Sequence, residues 1–271
     1  MLSHILSLYR KLPLFKGKFT AGRLLFKPLL NKEQPVTFIA KQNIKYTIPN
    51  TIENLGLELL INGIYEADII SVLQRAMKND NVFFDVGANI GSIGLPVVKS
   101  QKGIRYFGFE ASPKTFEYLL YNFQHNSITD YELHNKLIHE DNNKKMKFYE
   151  AIEYGKSSLA PSYSADYVYV DSVSLDNFCI DKSISTIDLM KVDVQGFELF
   201  VFKGLQKMLL QKKVKKILFE FEDWAEDAAG INIGEAQKFL LECGYHLYTV
   251  DGKKLNSICT KGSCMMWAKP Y

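Results

Sequence analysis

From residue 65 to residue 250 the chain alternates stretches of helical period with short apolar runs, and this alternation restricts the fold more than any other feature. The runs "VFFDV" (82–86), "IRYFGFE" (104–110), "YELHNKLI" (131–138), "TIDLMKVDV" (186–194) and "VKKILFEFE" (214–222) read as strands. "YEADIISVLQRAMK" (65–78) precedes them, and "SIGLPVVKSQ" (92–101), "SPKTFEYLLYNFQHN" (112–126), "GFELFVFKGLQKML" (196–209) and "IGEAQKFLLECG" (233–244) lie among them as helices. Ser112 is placed to cap the helix that Pro113 begins, and Gly244 to end the last one. The final runs, "YHLYTV" (245–250) and "GSCMMWAKP" (262–270), have no helix between them and should pair antiparallel at one edge. The pattern predicts an α/β fold, a doubly wound, seven-stranded, mostly parallel sheet with an antiparallel last strand pair. Alternation at "KMKFYEA" and "DYVYVDSV" predicts a β-rich, antiparallel insertion near 139–173.

Composition excludes several classes. With 47% hydrophobic and 23% charged residues the chain is globular in type, and no apolar run reaches the length of a bilayer span. The start, "MLSHILSLYRKLPLF", is a poor signal peptide, because Arg10 and Lys11 break its apolar part. Cys179, Cys243, Cys259 and Cys264 form no C-x-x-C pair, and the histidines show no metal-ligand spacing, so free thiols in a reducing cytosol are expected. Charge is unevenly spread. Residues 1–50 hold nine Lys or Arg and one acid, and are read as a basic appendage to a domain of 51–271. Leu2, Ile5, Leu6 and Tyr9 mark a short amphipathic helix. Residues 1–30 are therefore expected either to touch a membrane surface or to cover the acceptor site.

The turn after the first strand reads G-A-N-I-G-S-I-G (87–94) and meets neither the dinucleotide fingerprint nor the P-loop pattern. A pyrophosphate wants amide N–H groups and a helix N-terminus, and Asp85 at the mouth would repel it. A cationic ligand such as S-adenosylmethionine suits that acid. Glu110 ends the second strand, where a carboxylate can accept hydrogen bonds from both hydroxyls of a ribose. That fits NAD as well as S-adenosylmethionine, and disfavours NADP.

"FFDVGANIGSIG" (83–94), "YFGFEASPKTFEYLLYNFQHN" (106–126), "SLDNF" (174–178), "LMKVDVQGFELFVFKGL" (189–205) and "ILFEFE" (217–222) together resemble the FkbM family of class I methyltransferases, in order and spacing, over roughly 55–250. The resemblance implies a Rossmann-like sheet, S-adenosylmethionine as cofactor, and O-methylation, often of a sugar hydroxyl in a glycan, glycolipid or secondary metabolite. It implies that Asp85, Gly87, Asn89 and Gly91 form the methionine-side loop, that Glu110 clamps the ribose, and that Glu66 and Leu137 lie by the cofactor. Many members read D-V-E-G where this chain has Asp193-Val194-Gln195-Gly196.

A sugar hydroxyl becomes a nucleophile when a positioned base takes its proton. Asp193, at the end of the fourth strand, is the leading candidate, with Glu198 in the next helix and Glu220 on the fifth strand, whose Glu222 shares its face. Clustered acids could also hold a divalent ion such as magnesium, but spacing alone does not establish one and none is predicted. The expected partner is a carbohydrate or small-molecule acceptor in the cytoplasm. Nucleic acid is disfavoured because the basic residues lie outside the motifs. The alternatives are methylation of a non-sugar metabolite, a cofactor-binding module without catalysis, for which Gln195 is the motive, and an NAD-dependent enzyme.

Overall fold

The computed structural model describes residues 1–151 and 156–270. Tyr154 and Gly155, at the start of a stretch (154–164) read as a candidate lid or acceptor-binding loop, lie outside them.

The chain opens with α1 (Leu2–Lys11), α2 (Lys18–Leu25), the hairpin β1 (Val36–Ile39) and β2 (Lys45–Ile48), and α3 (Asn54–Asn62). The alternating part follows as α4 (Ala67–Ala76), β3 (Val82–Val86), α5 (Gly94–Val98), β4 (Arg105–Phe109), α6 (Pro113–Gln124) and β5 (Tyr131–His134). Next come β6 (Leu137–Ile138), β7 (Lys145–Tyr149), β8 (Tyr167–Val173), α7 (Leu175–Asp181), β9 (Leu189–Val192), α8 (Glu198–Lys203) and α9 (Gln206–Leu210). The chain ends with β10 (Ile217–Glu222), α10 (Asp223–Ala228), α11 (Glu235–Glu242), β11 (Tyr245–Thr249) and β12 (Ser263–Pro270).

Seven strands form one sheet in the order β11-β12-β10-β9-β3-β4-β5. It is parallel from β10 to β5, and β12 runs antiparallel to both β10 and β11, as the missing helix before it required. Helices cover both faces. Phe83 and Phe84 are consecutive on β3 and enter opposite cores, the first with Leu59, Ile61, Tyr106 and Phe123, the second with Phe107, Phe202, Phe219 and Leu240. Both faces are buried, so a continuous apolar run is what such a strand needs.

Three expectations are refined. The run 131–138 divides, since β5 joins the large sheet while β6 pairs with β8 in a separate three-stranded sheet. Between them Asn135 donates to the carbonyls of Glu110 and Ala111, which turns the chain. The helix expected over 196–209 breaks into α8 and α9 at Gly204, where the backbone packs so closely on His139 that a Cβ would lie 2.5 Å from its carbonyl oxygen. The basic segment 1–50 packs on α3, and Leu6, Phe26 and Ile44 share the core of the sheet. Two of its charges are interior. Arg10 donates to the carbonyls of Leu60 (2.6 Å) and Ile39 (2.9 Å) and covers the Phe38 ring. Lys18 donates to Leu12 and Arg10 carbonyls. A buried cation needs such acceptors.

Candidate active site

Strand order reverses between β3 and β9, so the loops after them lie side by side. Gly87, at φ +77°, allows the approach, for a Cβ there would sit 1.9 Å from the carbonyl oxygen of Asp193. A cavity of about 290 Å³ opens beyond the carboxyl ends of these strands. It is lined by the expected Glu66, Gly87, Asn89, Glu110, Leu137, Asp193 and Glu220.

The loop after β3 uses its own donors. The N–H groups of Gly87 and Ala88 donate to Phe109, that of Asn89 to a Glu110 carboxylate oxygen (2.9 Å), that of Ile90 to the Asn89 side chain and that of Gly91 to Ala88. Asn89 takes the left-handed conformation (φ +51°). With these five N–H groups engaged, the loop is not a nest for a pyrophosphate. Glu110 receives a second bond from Ser112 N–H (2.8 Å), and each carboxylate oxygen keeps a lone pair for a ligand. Burial pushes its carboxyl up to about 7 despite those bonds. Gly91 packs under the loop, its would-be Cβ 3.1 Å from Phe123. Leu137 joins Phe148 and Leu159 on the apolar wall.

Asp85 requires a correction. It is wholly buried and does not line the cavity. Its carboxylate accepts from Tyr106 O–H (2.9 Å) and lies 3.4 Å from the Lys191 ammonium. Its carboxylate thus faces Lys191 and Tyr106 rather than the cavity, and burial raises its pKa despite Lys191. Negative character at the cavity comes instead from Glu53, Glu66, Glu110 and Asp193.

Lys191 is the residue the sequence reading missed. It is opposite Asp85 in the β3–β9 register, donates to the Gly87 carbonyl (2.8 Å), and lies 3.4 Å from Asp193. Burial acts to lower its pKa, but Asp193 and Asp85 outweigh this and keep it charged. A lysine inside the apolar "LMKV" was the available signal.

Asp193 and Glu220 form a coupled pair beside it. Burial acts to raise the Asp193 carboxyl, yet Lys191, then hydrogen bonds from Glu220 and Gln195, hold it below the ordinary value. Glu220 is driven far up, by burial first and by Asp193 second. The two carboxyls are thus driven apart, Glu220 upward and Asp193 downward, and they titrate as a pair. The Gln195 amide lies within 3.5 Å of Asp193 and 3.2 Å of Glu220. Glu66, at φ +44°, caps α4 and faces the same space, its carboxyl raised by burial and then by Asp193. Tyr65, also unforeseen, lines the wall next to it.

Glu198 is not part of this group. It is buried away from the cavity and accepts from Val194 N–H (3.0 Å), which closes the turn before α8. Burial pushes it up to about 8. Glu222 also lies off the lining. Among the described residues no group of three or more His, Cys, Asp or Glu is placed to hold a metal ion.

The chain is similar to several known proteins. The hexuronic acid methyltransferase AglP of Haloferax volcanii is 27% identical over 177 residues, covering 65% of this chain and 68% of that protein. Among solved structures, a precorrin-6y C5,15-methyltransferase from Geobacter metallireducens is 14% identical and aligns over 77% of this chain and 90% of its own, at a TM-score of 0.46. A TehB-like SAM-dependent methyltransferase from Corynebacterium glutamicum is 11% identical over 79% and 93%, at 0.45. A model of the methyltransferase FkbM domain matches residues 85–247. That span runs from the buried acid of β3 through the cavity-lining loops to β11, and the chain belongs to the FkbM family of S-adenosylmethionine-dependent methyltransferases.

Proposed function

We propose that the protein methylates a hydroxyl group of a sugar, in a glycan or glycolipid, with Asp193 as general base. The observation that carries this reading is the position of Asp193 on the cavity, with its carboxylate 3.4 Å from the Lys191 ammonium, which holds it below the ordinary carboxylate value. A base must be unprotonated and within reach of the hydroxyl it serves. The sugar class is supported by the similarity to the hexuronic acid methyltransferase AglP of Haloferax volcanii.

The residues fit the cofactor by chemistry. Glu110 would offer its two carboxylate oxygens to the ribose hydroxyls, the Gly87–Gly91 loop would take the methionine side, and Leu137 and Glu66 would line the cofactor's place in the cavity. The cofactor supplies an electrophilic methyl group on a sulfonium. Asp193 would take the proton of the acceptor hydroxyl as the hydroxyl oxygen bonds to that methyl group and the demethylated cofactor leaves. Lys191 fixes the Asp193 carboxylate, and Gln195 steadies the Asp193–Glu220 pair without adding a third charge. Alignment then does most of the remaining work.

The test supplies methyl-labelled S-adenosylmethionine with hexuronic-acid oligosaccharides, neutral oligosaccharides and non-sugar alcohols. Label should enter a sugar fraction. Asp193→Asn should lower turnover about 10²–10⁴-fold, the range for a lost base, while S-adenosylhomocysteine affinity changes little. Label confined to non-sugar alcohols, or full turnover by the variant, refutes the proposal.

A further inference from the structure

The N-terminal helices carry apolar residues on two sides. One side of α1, with Leu6, Tyr9 and the Arg10 stem, packs on the body. The other shows Ile5, Leu8 and Leu12 to solvent at spacings of three and four. Phe15 in the connection and Leu24 and Leu25 at the end of α2 are exposed as well, and Leu8, Leu24 and Leu25 are 66%, 73% and 61% exposed. These residues are not loosely attached. Lys18 and Lys41 both donate to the Leu12 carbonyl, and Tyr9 donates to Lys18 (2.7 Å), so the two helices are tied to each other and to α3. A fixed apolar surface of this kind marks a contact site.

Its charge selects the partner. Residues 1–32 contain seven Lys or Arg and no acid, and Lys11, Lys16, Arg23 and Lys27 are exposed around the apolar residues. A second copy meeting this face about a two-fold axis would set lysine against lysine. An anionic bilayer satisfies both features, since it takes Leu and Phe into the headgroup boundary and attracts each nearby cation.

We infer that this face docks the protein on an anionic membrane surface. The docking also sets the approach to the active site. Leu14 and Phe15, both exposed, form one wall of a groove with Phe19, and Glu66 lies on its other side. Glu66 lines the catalytic cavity too, so the groove beside the docked face and the cavity share this residue as a wall. For the acceptor this rests on the function proposed above, and it names the class more closely as a sugar borne on a lipid. The docking itself does not depend on that reading.

Flotation of the full chain with vesicles tests it, using phosphatidylcholine alone or mixed with phosphatidylglycerol. The protein should float with the anionic vesicles and dissociate as salt rises. Leu8→Ser/Leu24→Ser and Lys16→Glu/Arg23→Glu should each weaken flotation about tenfold or more. Both variants should keep their S-adenosylhomocysteine affinity, which separates lost docking from lost folding or from failure of the methyltransferase reading. Absence of flotation by the wild-type chain, or flotation of both variants equal to that of the wild type, overturns the inference. So does a concentration-dependent dimer in ultracentrifugation that Leu8→Ser/Leu24→Ser abolishes, because the occupant is then a second copy.

Discussion

The two loops that meet at the reversal of strand order hold themselves in place by different means. The loop after β3 is secured by backbone hydrogen bonds, with the N–H groups of residues 87 to 91 all engaged. The loop after β9 turns through Gln195 at φ +54° and Gly196 at φ +90° and gathers acids, so that Asp193, Glu220 and Glu66 face one space. The first arrangement stabilises a stiff shelf. The second costs stability, since like charges are collected in a partly dry place and held by one lysine and one amide. Such a cost at a strand end is the mark of a chemical role. In the function proposed above, the shelf would serve the cofactor and the acid group the acceptor.

The sharpest way to break this division is at the point where the two loops touch. Gly87→Ala places a Cβ 1.9 Å from the Asp193 carbonyl oxygen, so the loops must part. The expected loss is about 4 kcal/mol or more of stability, together with cofactor binding, read by thermal melting and by calorimetry with S-adenosylhomocysteine. Wild-type behaviour in both would show that the shelf does not depend on this contact.

Next is Asp85→Asn, which tests whether the buried acid serves the fold or the ligand. Lys191 would keep only Asp193, and the expected destabilisation is about 3 kcal/mol, the lower range for breaking a buried pair. Adding Lys191→Met should recover part of that loss. Intact stability with lost cofactor affinity would return Asp85 to the ligand side.

The smallest effect concerns Glu110. Its carboxyl is raised to about 7, so it becomes protonated as pH falls through that value. A ribose diol donates best to the ionised form. Cofactor affinity should therefore be full above pH 7 and decline below it. Glu110→Gln should remove this step and weaken binding about 10–100-fold, as for a lost charged hydrogen bond. A step that persists in the variant would assign the titration to another acid, with Glu66 the nearest raised candidate on the lining.

How far residues could be placed from sequence depended on how local their partners are. Glu110 was readable because it ends an apolar run and its partners, Asn89 and Ser112, lie in adjacent turns. Ser112 caps α6 through Thr115, three residues on. Glu198 was misplaced because an acid at the start of a helix can face outward or curl back, and here it bonds Val194. The hairpin of β1 and β2 went unread because "VTFI" and "KYTI" are short and flanked by weak signals.

Alternation of apolar runs with helical periods, and the missing helix before β12, determined the sheet by themselves, because parallel strands need crossovers and burial on both faces dictates the residue types. The cofactor class was also legible in the sequence, in the ordered motifs that resemble the FkbM family, whereas the glycine spacing only excluded the phosphate-binding patterns and Glu110 fitted NAD equally well. What only the tertiary structure decided is where each charge is spent. Asp85 and Lys191 stand 106 residues apart and become opposite neighbours only when β9 pairs with β3. A carboxylate at a strand end looks the same in sequence whether a ligand or a buried lysine neutralises it. The pairing of strands makes that choice, since it alone brings the opposite charge within reach.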